Sequence, residues 1–437
     1  MSKELKKKGK DSNAQGYTLV KTYKTVKEYR LSNGLTILYK NIKGSGVVTT
    51  NITYRVGARD EQVGQTGLAH MLEHMLFKPT KADIKNKIDS GAMQFERETG
   101  CILNANTWKD RTTYYFSYPK QYFSRALQIE SERMKDVVLT DKEFLPERGN
   151  VLSEFDMYFG DPYFALSMDM ISSAFHSHPY GHETIGFRED IEKYTVEKLK
   201  AFYDRFYDPS NGTLMIIGDI DEKTALKDAV EKFGSIKSHG PVIRNMDVVE
   251  PKQEGLRRVE IVRPALSKVV AFGVKHEGFP TKEWFKISLL SAILTNGQDS
   301  ILHTKLIDTG LASKVEMMIE PSQETNLGLL FVTLSKKADP EQIEKIVFDT
   351  IAGLTPANIA LHYKKVQQRI LTEELIGRES SMKMAMELTE YVSAGAWERF
   401  FDTEEIIKEI TAKDIVTKAH EIFDLSKMTI GHFIGKQ

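Results

Sequence analysis

The sequence has a single cysteine, Cys101, among its 437 residues. That excludes an intrachain disulfide and any zinc site built on cysteine, and Cys101 itself reads as a small packing residue. It has no excess of charge: 60 Lys and Arg stand against 61 Asp and Glu, a formal net charge of −1. With no basic field on either half, nucleic acid is not expected as a partner. No apolar run approaches the length of a membrane span. The basic segment "KELKKKGK" near the start, Lys3 to Lys10, is not followed by the apolar core of a signal peptide. The expectation is a soluble protein with a flexible tail over residues 1–24, cytoplasmic as written and periplasmic if a signal peptide has been trimmed.

What is present is enough hydrophobic residue, 41%, for two or three domain cores. "LTILY" (35–39), "TTNITYRV" (49–56) and "TTYYFSY" (112–118) read as strands. "FSRALQIESERMKDVV" (123–138) and "VEKLKAFYDRFY" (196–207) read as helices. Strands and helices interleave, so the class is α+β. An internal repeat goes further. "YTVEKLKAFYDRFYDPSNGTLMIIG" (194–218) and "ITAKDIVTKAHEIFDLSKMTIGHFIG" (410–435) each read as a capped helix, an Asp-x-Ser turn and a short apolar strand. Thr195 matches Thr411, Asp208 matches Asp424, and Ser210 matches Ser426. Two copies of one fold are expected, at 25–235 and 256–437, joined by a polar linker with Gly and Pro at 236–255.

One apolar segment carries three polar residues that need a reason. In "GLAHMLEHMLFKP" (67–79), Leu68, Met71, Leu72, Met75 and Leu76 keep helical spacing. Thr66 reads as the N-cap and Pro79 as the stop. His70 and His74, one turn apart, share the face opposite that stripe, with Glu73 beside them. This is H-x-x-E-H, a zinc clamp in the order called inverzincin; two surface histidines around a glutamate would look the same. A catalytic zinc needs a third protein ligand. In "PERGNVLSEFDMYFG" (146–160), Pro146 suits a first helical turn, and Glu147 and Glu154 fall on one face two turns apart. A solvated helix face is the plainer reading of that pair.

Five segments in order, "RLSNGLTILYKN", "VGARDEQVGQTGLAHMLEHMLFKPT", "LNANTWKDRTTYYFSYP", "ERGNVLSEFDMYFGDPY" and "HPYGHETIGFREDI", resemble the M16 (pitrilysin or insulinase-type) zinc metallopeptidases. The similarity is to the short two-domain kind that includes processing-peptidase subunits, and it runs from about residue 25 to the end. The resemblance implies two homologous domains, each a mostly antiparallel sheet flanked by helices in the LuxS/MPP-like metallohydrolase fold, the second lacking metal ligands. It implies one zinc per chain held by His70, His74 and Glu154, with Glu73 as general base and Glu147 supporting the ligands. Asn104 and Ala105 match the "NA" beside the edge strand that receives peptide substrate.

The chain also departs from that pattern. Family members carry an arginine and a tyrosine in the second half near the metal; "KLIDTGLAS" (305–313) has Ile307 and Ser313 at those places. The expectation is therefore an endopeptidase for flexible peptides acting as the zinc-bearing subunit of a heterodimer. A second M16-like chain would supply the arginine and tyrosine, and a homodimer is the lesser alternative. The rival reading is a structural or peptide-binding subunit without activity. His176, His178 and His182 read as a structural loop, and His276 with Glu277 as a solvated pair.

Overall fold

A computed structural model describes residues 16–244 and 248–436, so the basic run Lys3–Lys10 lies outside the described residues. Seven strands form the first sheet: β1 (Tyr17–Tyr23), β2 (Val26–Leu31), β3 (Thr36–Asn41), β4 (Val47–Tyr54), β5 (Ile102–Thr107), β6 (Thr112–Pro119) and β7 (Gly212–Gly218), in the order β1-β2-β3-β7-β4-β6-β5. Five form the second: β8 (Arg257–Pro264), β9 (Lys268–His276), β10 (Ala312–Met318), β11 (Asn326–Leu334) and β12 (Thr429–Lys436), in the order β10-β11-β9-β12-β8. Both are mostly antiparallel. The exceptions are β3 with β7 and β8 with β12, which run parallel.

Leaving out the β1–β2 hairpin, the orders superpose: β3-β7-β4-β6-β5 on β8-β12-β9-β11-β10. The repeat seen in the sequence ends in the strand that occupies the same place in each order, β7 and β12. Thr195 and Thr411 cap the helices Val196–Phe206 and Ala412–Ile422 with their side chains. In the following turns Asp208 Oδ1 accepts from the Ser210 amide at 2.8 Å and its hydroxyl at 2.7 Å. Asp424 does the same for Ser426 at 3.0 and 2.9 Å. Those two Asx turns aim β7 and β12 into equivalent places.

Each sheet buries one face under its own helices and lends the other to its neighbour. The helix Ser381–Ser393 of the second half lies on β4 of the first sheet, where Asn51 Nδ2 donates to Thr389 Oγ1 at 3.0 Å and Thr49 meets the Ser381 hydroxyl at 2.9 Å. In exchange the helix Pro162–Ala174 of the first half covers the second sheet, Tyr163 against Phe331 with ring centroids 4.8 Å apart. The fit is tight enough to need Gly431, because a Cβ there would stand 2.6 Å from Met170 Sδ.

Two expectations need correction and a third gains a detail. Residues 17–23 are strand β1, inside the segment expected as tail: Tyr17 rests edge-on against Tyr29, and Tyr23 donates to Asp402 of the second half at 2.6 Å. His276 is buried, not solvated, since β9 lies inside its sheet and its last residue pairs with Asn326. Within the linker expected at 236–255, the Glu250 carboxylate accepts the backbone amides of His176 at 2.9 Å and of Ser177 and His178 at 3.0 Å. No described helix is long and apolar enough to cross a membrane.

Candidate metal centre

The helix carrying the histidines runs from Leu68 to Met75 with Leu68, Ala69, Met71, Leu72 and Met75 buried. Its cap is not Thr66. Gly67 occupies that place at φ 92°, where a Cβ would lie 2.2 Å from the Ile185 carbonyl oxygen. A glycine offers no capping oxygen, and Glu61 supplies one from six residues back. Its carboxylate accepts the amides of Gly67 at 2.7 Å and Ala69 at 2.8 Å, satisfying donors that a helix start leaves open. Thr66 is freed to hold Asp190, donating at 2.7 Å.

The second element is the helix Asp141–Phe159. It begins earlier than Pro146 suggests, with Thr140 at its cap, so the proline sits in its second turn. The bond lost there is to the carbonyl of Lys142, an exposed residue, where water can replace it. The helix delivers Glu147 and Glu154 to the histidines. His70 Nε2 and His74 Nε2 face one another at 3.3 Å; Glu154 Oε2 lies 3.4 Å from the second and 3.9 Å from the first. A tetrahedral zinc with bonds of about 2.0–2.1 Å sets its ligands about 3.4 Å apart. Two ring nitrogens and a carboxylate oxygen at such spacing fit the ion, and among the described residues no other group of three ligand-type side chains converges in this way. His176, His178 and His182 do not; His178 Nε2 pairs with Glu324 at 2.7 Å.

Around these three the charges are arranged. Glu147 Oε1 is 2.9 Å from His74 Nδ1 and its other oxygen pairs with Lys78. Burial opposes its charge, but His74 and Lys78 prevail and hold the carboxyl down at about 2. A fixed anion at Nδ1 keeps the proton there and turns Nε2 toward Glu154. His74 is pushed up to about 9, its burial outweighed by Glu147 and Glu154, whereas burial and the neighbouring ring press His70 down to about 4. The Glu154 carboxyl is lowered, first by the His74 hydrogen bond. Glu73 points to the same space. Burial pushes it up to about 7 against the pull of Thr107, whose hydroxyl donates to Glu73 Oε2 at 2.5 Å. A carboxyl poised there suits a base working near neutrality.

Asn104 and Ala105 lie on β5, the outer strand of the first sheet, which pairs on one side with β6. Asn104 folds over its own strand, Oδ1 accepting the Ala105 amide at 2.8 Å. At the far end Arg111, with 3% of its side chain exposed, ties Asn106 to Glu390 of the second half. Ile307 packs on the second core and Ser313 is exposed on β10, so neither place presents a cation or a phenol. Sequence reasoning missed Glu61, Lys78, Thr107 and Tyr158. Lys78 and Tyr158 follow His74 and Glu154 by one helical turn, and Thr107 follows Ala105 by one strand period, spacings that could have signalled them.

Comparison with known proteins gives the family and the fold. Residues 36–187 match the family model described as insulinase (peptidase family M16), and residues 193–358 match that described as the peptidase M16 inactive domain. The chain is 28% identical over 408 residues to the zinc protease PqqE of Helicobacter pylori, covering 91% of this chain and 90% of that one. The crystal structure of a protease from Helicobacter pylori superposes with a TM-score of 0.88 at 25% identity, covering 94% of this chain and all (100%) of that one. The periplasmic protease PqqL from Escherichia coli shares the fold, with a TM-score of 0.74 at 18% identity; the match covers 96% of this chain but 48% of that one.

Proposed function

We propose that this chain, which belongs to the M16 (insulinase) peptidase family, is a zinc-dependent endopeptidase that hydrolyses flexible peptides. His70, His74 and Glu154 would hold the ion. When bound, zinc would bring the pKa of a water down toward about 7 and polarise the scissile carbonyl. Glu73 takes the proton of the attacking water and passes it to the leaving amine. Thr107 keeps the Glu73 carboxylate turned to that task, and Glu147 keeps the proton of His74 on Nδ1. The peptide lies extended along β5, adding a strand to the sheet edge; its carbonyl replaces Asn104 Oδ1 on the Ala105 amide.

The observation that carries this reading is the convergence of His70, His74 and Glu154 at tetrahedral spacing with Glu73 beside them. Metal analysis of the purified chain tests it, with about one zinc per chain expected and none after His70→Ala. Absence of zinc from the unaltered chain would favour the silent-subunit reading instead. The active form we infer is a heterodimer. Among its described residues the second half offers no ligand set, Ile307 and Ser313 lack the groups a partner would bring, and a relative of the same fold is about twice as long. Native mass measurement, with and without co-purified chains, tests that step; full turnover by a pure homodimer refutes it.

A further inference from the structure

The donors around Glu73 are nearly all engaged. The Thr107 hydroxyl is given to Glu73, Lys78 to Glu147, and Arg111 to Glu390 and Asn106. Tyr158 differs. It follows Glu154 by one turn of the helix Asp141–Phe159, so it looks out over the same face. Its hydroxyl borders the Glu154 carboxylate, the one acid of the triad it can donate to. Phe155, on the same stretch of helix, is 5% exposed, whereas Tyr158 is 39% exposed. The Tyr158 ring leans on Phe164, centroids 5.5 Å apart, and forms part of the wall of a cavity of about 520 Å³ between the two halves. Met318, Glu320 and Leu329 of the second half form part of the opposite wall. An aromatic residue left this open beside a ligand triad, with its polar tip at the triad and its ring on a cavity, is placed like a contact for something that enters.

We propose that Tyr158 is a catalytic residue: its hydroxyl donates a hydrogen bond to the carbonyl oxygen of the peptide bond being cut, while its ring walls the cavity that takes a neighbouring side chain. This rests on the peptidase reading above. As the carbonyl becomes tetrahedral its oxygen gains negative charge, and a neutral donor held beside the ligand triad stabilises that charge once it turns from Glu154 to the carbonyl. The competing role is structural, the hydroxyl merely steadying Glu154 as a ligand.

Tyr158→Phe removes the hydroxyl and keeps the ring, and three measurements on the full chain together with its co-purified partner separate the roles. Zinc affinity is read by chelator competition. Affinity for an uncleaved substrate peptide is read in the Glu73→Gln background. Affinity for a phosphinic peptide, which mimics the tetrahedral carbon, is read in the otherwise unaltered chain. We expect zinc and substrate-peptide affinities to stay within about twofold, while kcat falls on the order of 10²–10³ with KM little changed and the phosphinic peptide loses affinity in step. Zinc affinity falling in parallel with activity, or an unaltered affinity for the phosphinic peptide, overturns the proposal. An unaltered chain that binds zinc yet, together with its co-purified partner, neither cleaves peptides nor binds the phosphinic one overturns the peptidase reading with it; cleavage by that unaltered assembly that Tyr158→Phe leaves intact overturns the Tyr158 role alone.

Discussion

Apart from the β1–β2 hairpin the two sheets share one strand order, with the same helix–turn–strand unit in equivalent places, yet only one holds a ligand triad among the described residues. The difference lies in two helices. In the first half, Leu68–Met75 starts at a left-handed glycine, is capped from a distance by Glu61, and leaves His70, Glu73 and His74 on its open face. The corresponding helix of the second half, Lys282–Thr295, is capped by its own Thr281 and buries Phe285, Ile287, Leu289, Leu290, Ile293 and Leu294. A helix apolar nearly all round is a core element. The scaffold is therefore indifferent to the chemistry, and the second copy serves by covering. Its helix Ser381–Ser393 closes the polar face of β4, and its Glu390 anchors Arg111 beside β5.

The sharpest way to break that contrast is at the first helix. Glu73→Gln keeps the shape and the three ligands but removes the base. Zinc content should remain about one per chain while peptide cleavage falls by about 10²–10⁴; ordinary turnover would mean that Glu73 is not the base. Glu147→Gln tests the support around the ligands. Losing the anion at His74 Nδ1 should weaken zinc about 10–100-fold, read by chelator titration, and a change under twofold would leave the Glu147–His74 pair without a role.

How far the sequence shows this arrangement depends on the range of each interaction. Spacing within one element is legible: the histidines one turn apart, Glu147 with Glu154, and the paired Asx turns that reveal the duplication. Interactions between elements are not. The polar alternation of Thr49, Asn51 and Thr53 reads as a solvent face, yet all three are buried beneath the second half. Thr66 reads as a cap because the rule is local, whereas Glu61 acts through a turn whose path only the close approach of Gly67 to Ile185 explains. His276 looks polar and free until the strand order puts β9 inside its sheet.

The exchange of covering helices gives a smaller test. If the halves behave as one folding unit, a misfit between them should lower the single unfolding transition instead of melting the second half alone. Gly431→Ala places a methyl 2.6 Å from Met170 Sδ, a side chain of the other half. Overpacking of this kind costs about 1–3 kcal/mol, and the flexible methionine should keep it near the low end. Calorimetry should show one transition shifted downward; two separated transitions would mean that the copies are independent after all.

The finest comparison is between the ends of the two edge strands. β5 ends on Thr107, whose hydroxyl reaches Glu73; β10 ends on Met318, which is 50% exposed and carries no such donor. Thr107→Val makes the first edge resemble the second without changing its size. The hydroxyl stabilises the charged form of Glu73, so its loss raises a carboxyl that burial already pushes up to about 7. The base must be ionised to accept a proton, so the acid limb of kcat/KM should move to higher pH, with activity lost below neutrality and largely recovered above the limb. Thr107→Ser, which keeps the donor, should return the limb to its place. A limb that stays put in Thr107→Val, or moves to lower pH, would mean that this hydroxyl does not hold the base and that the two strand ends differ in sequence alone.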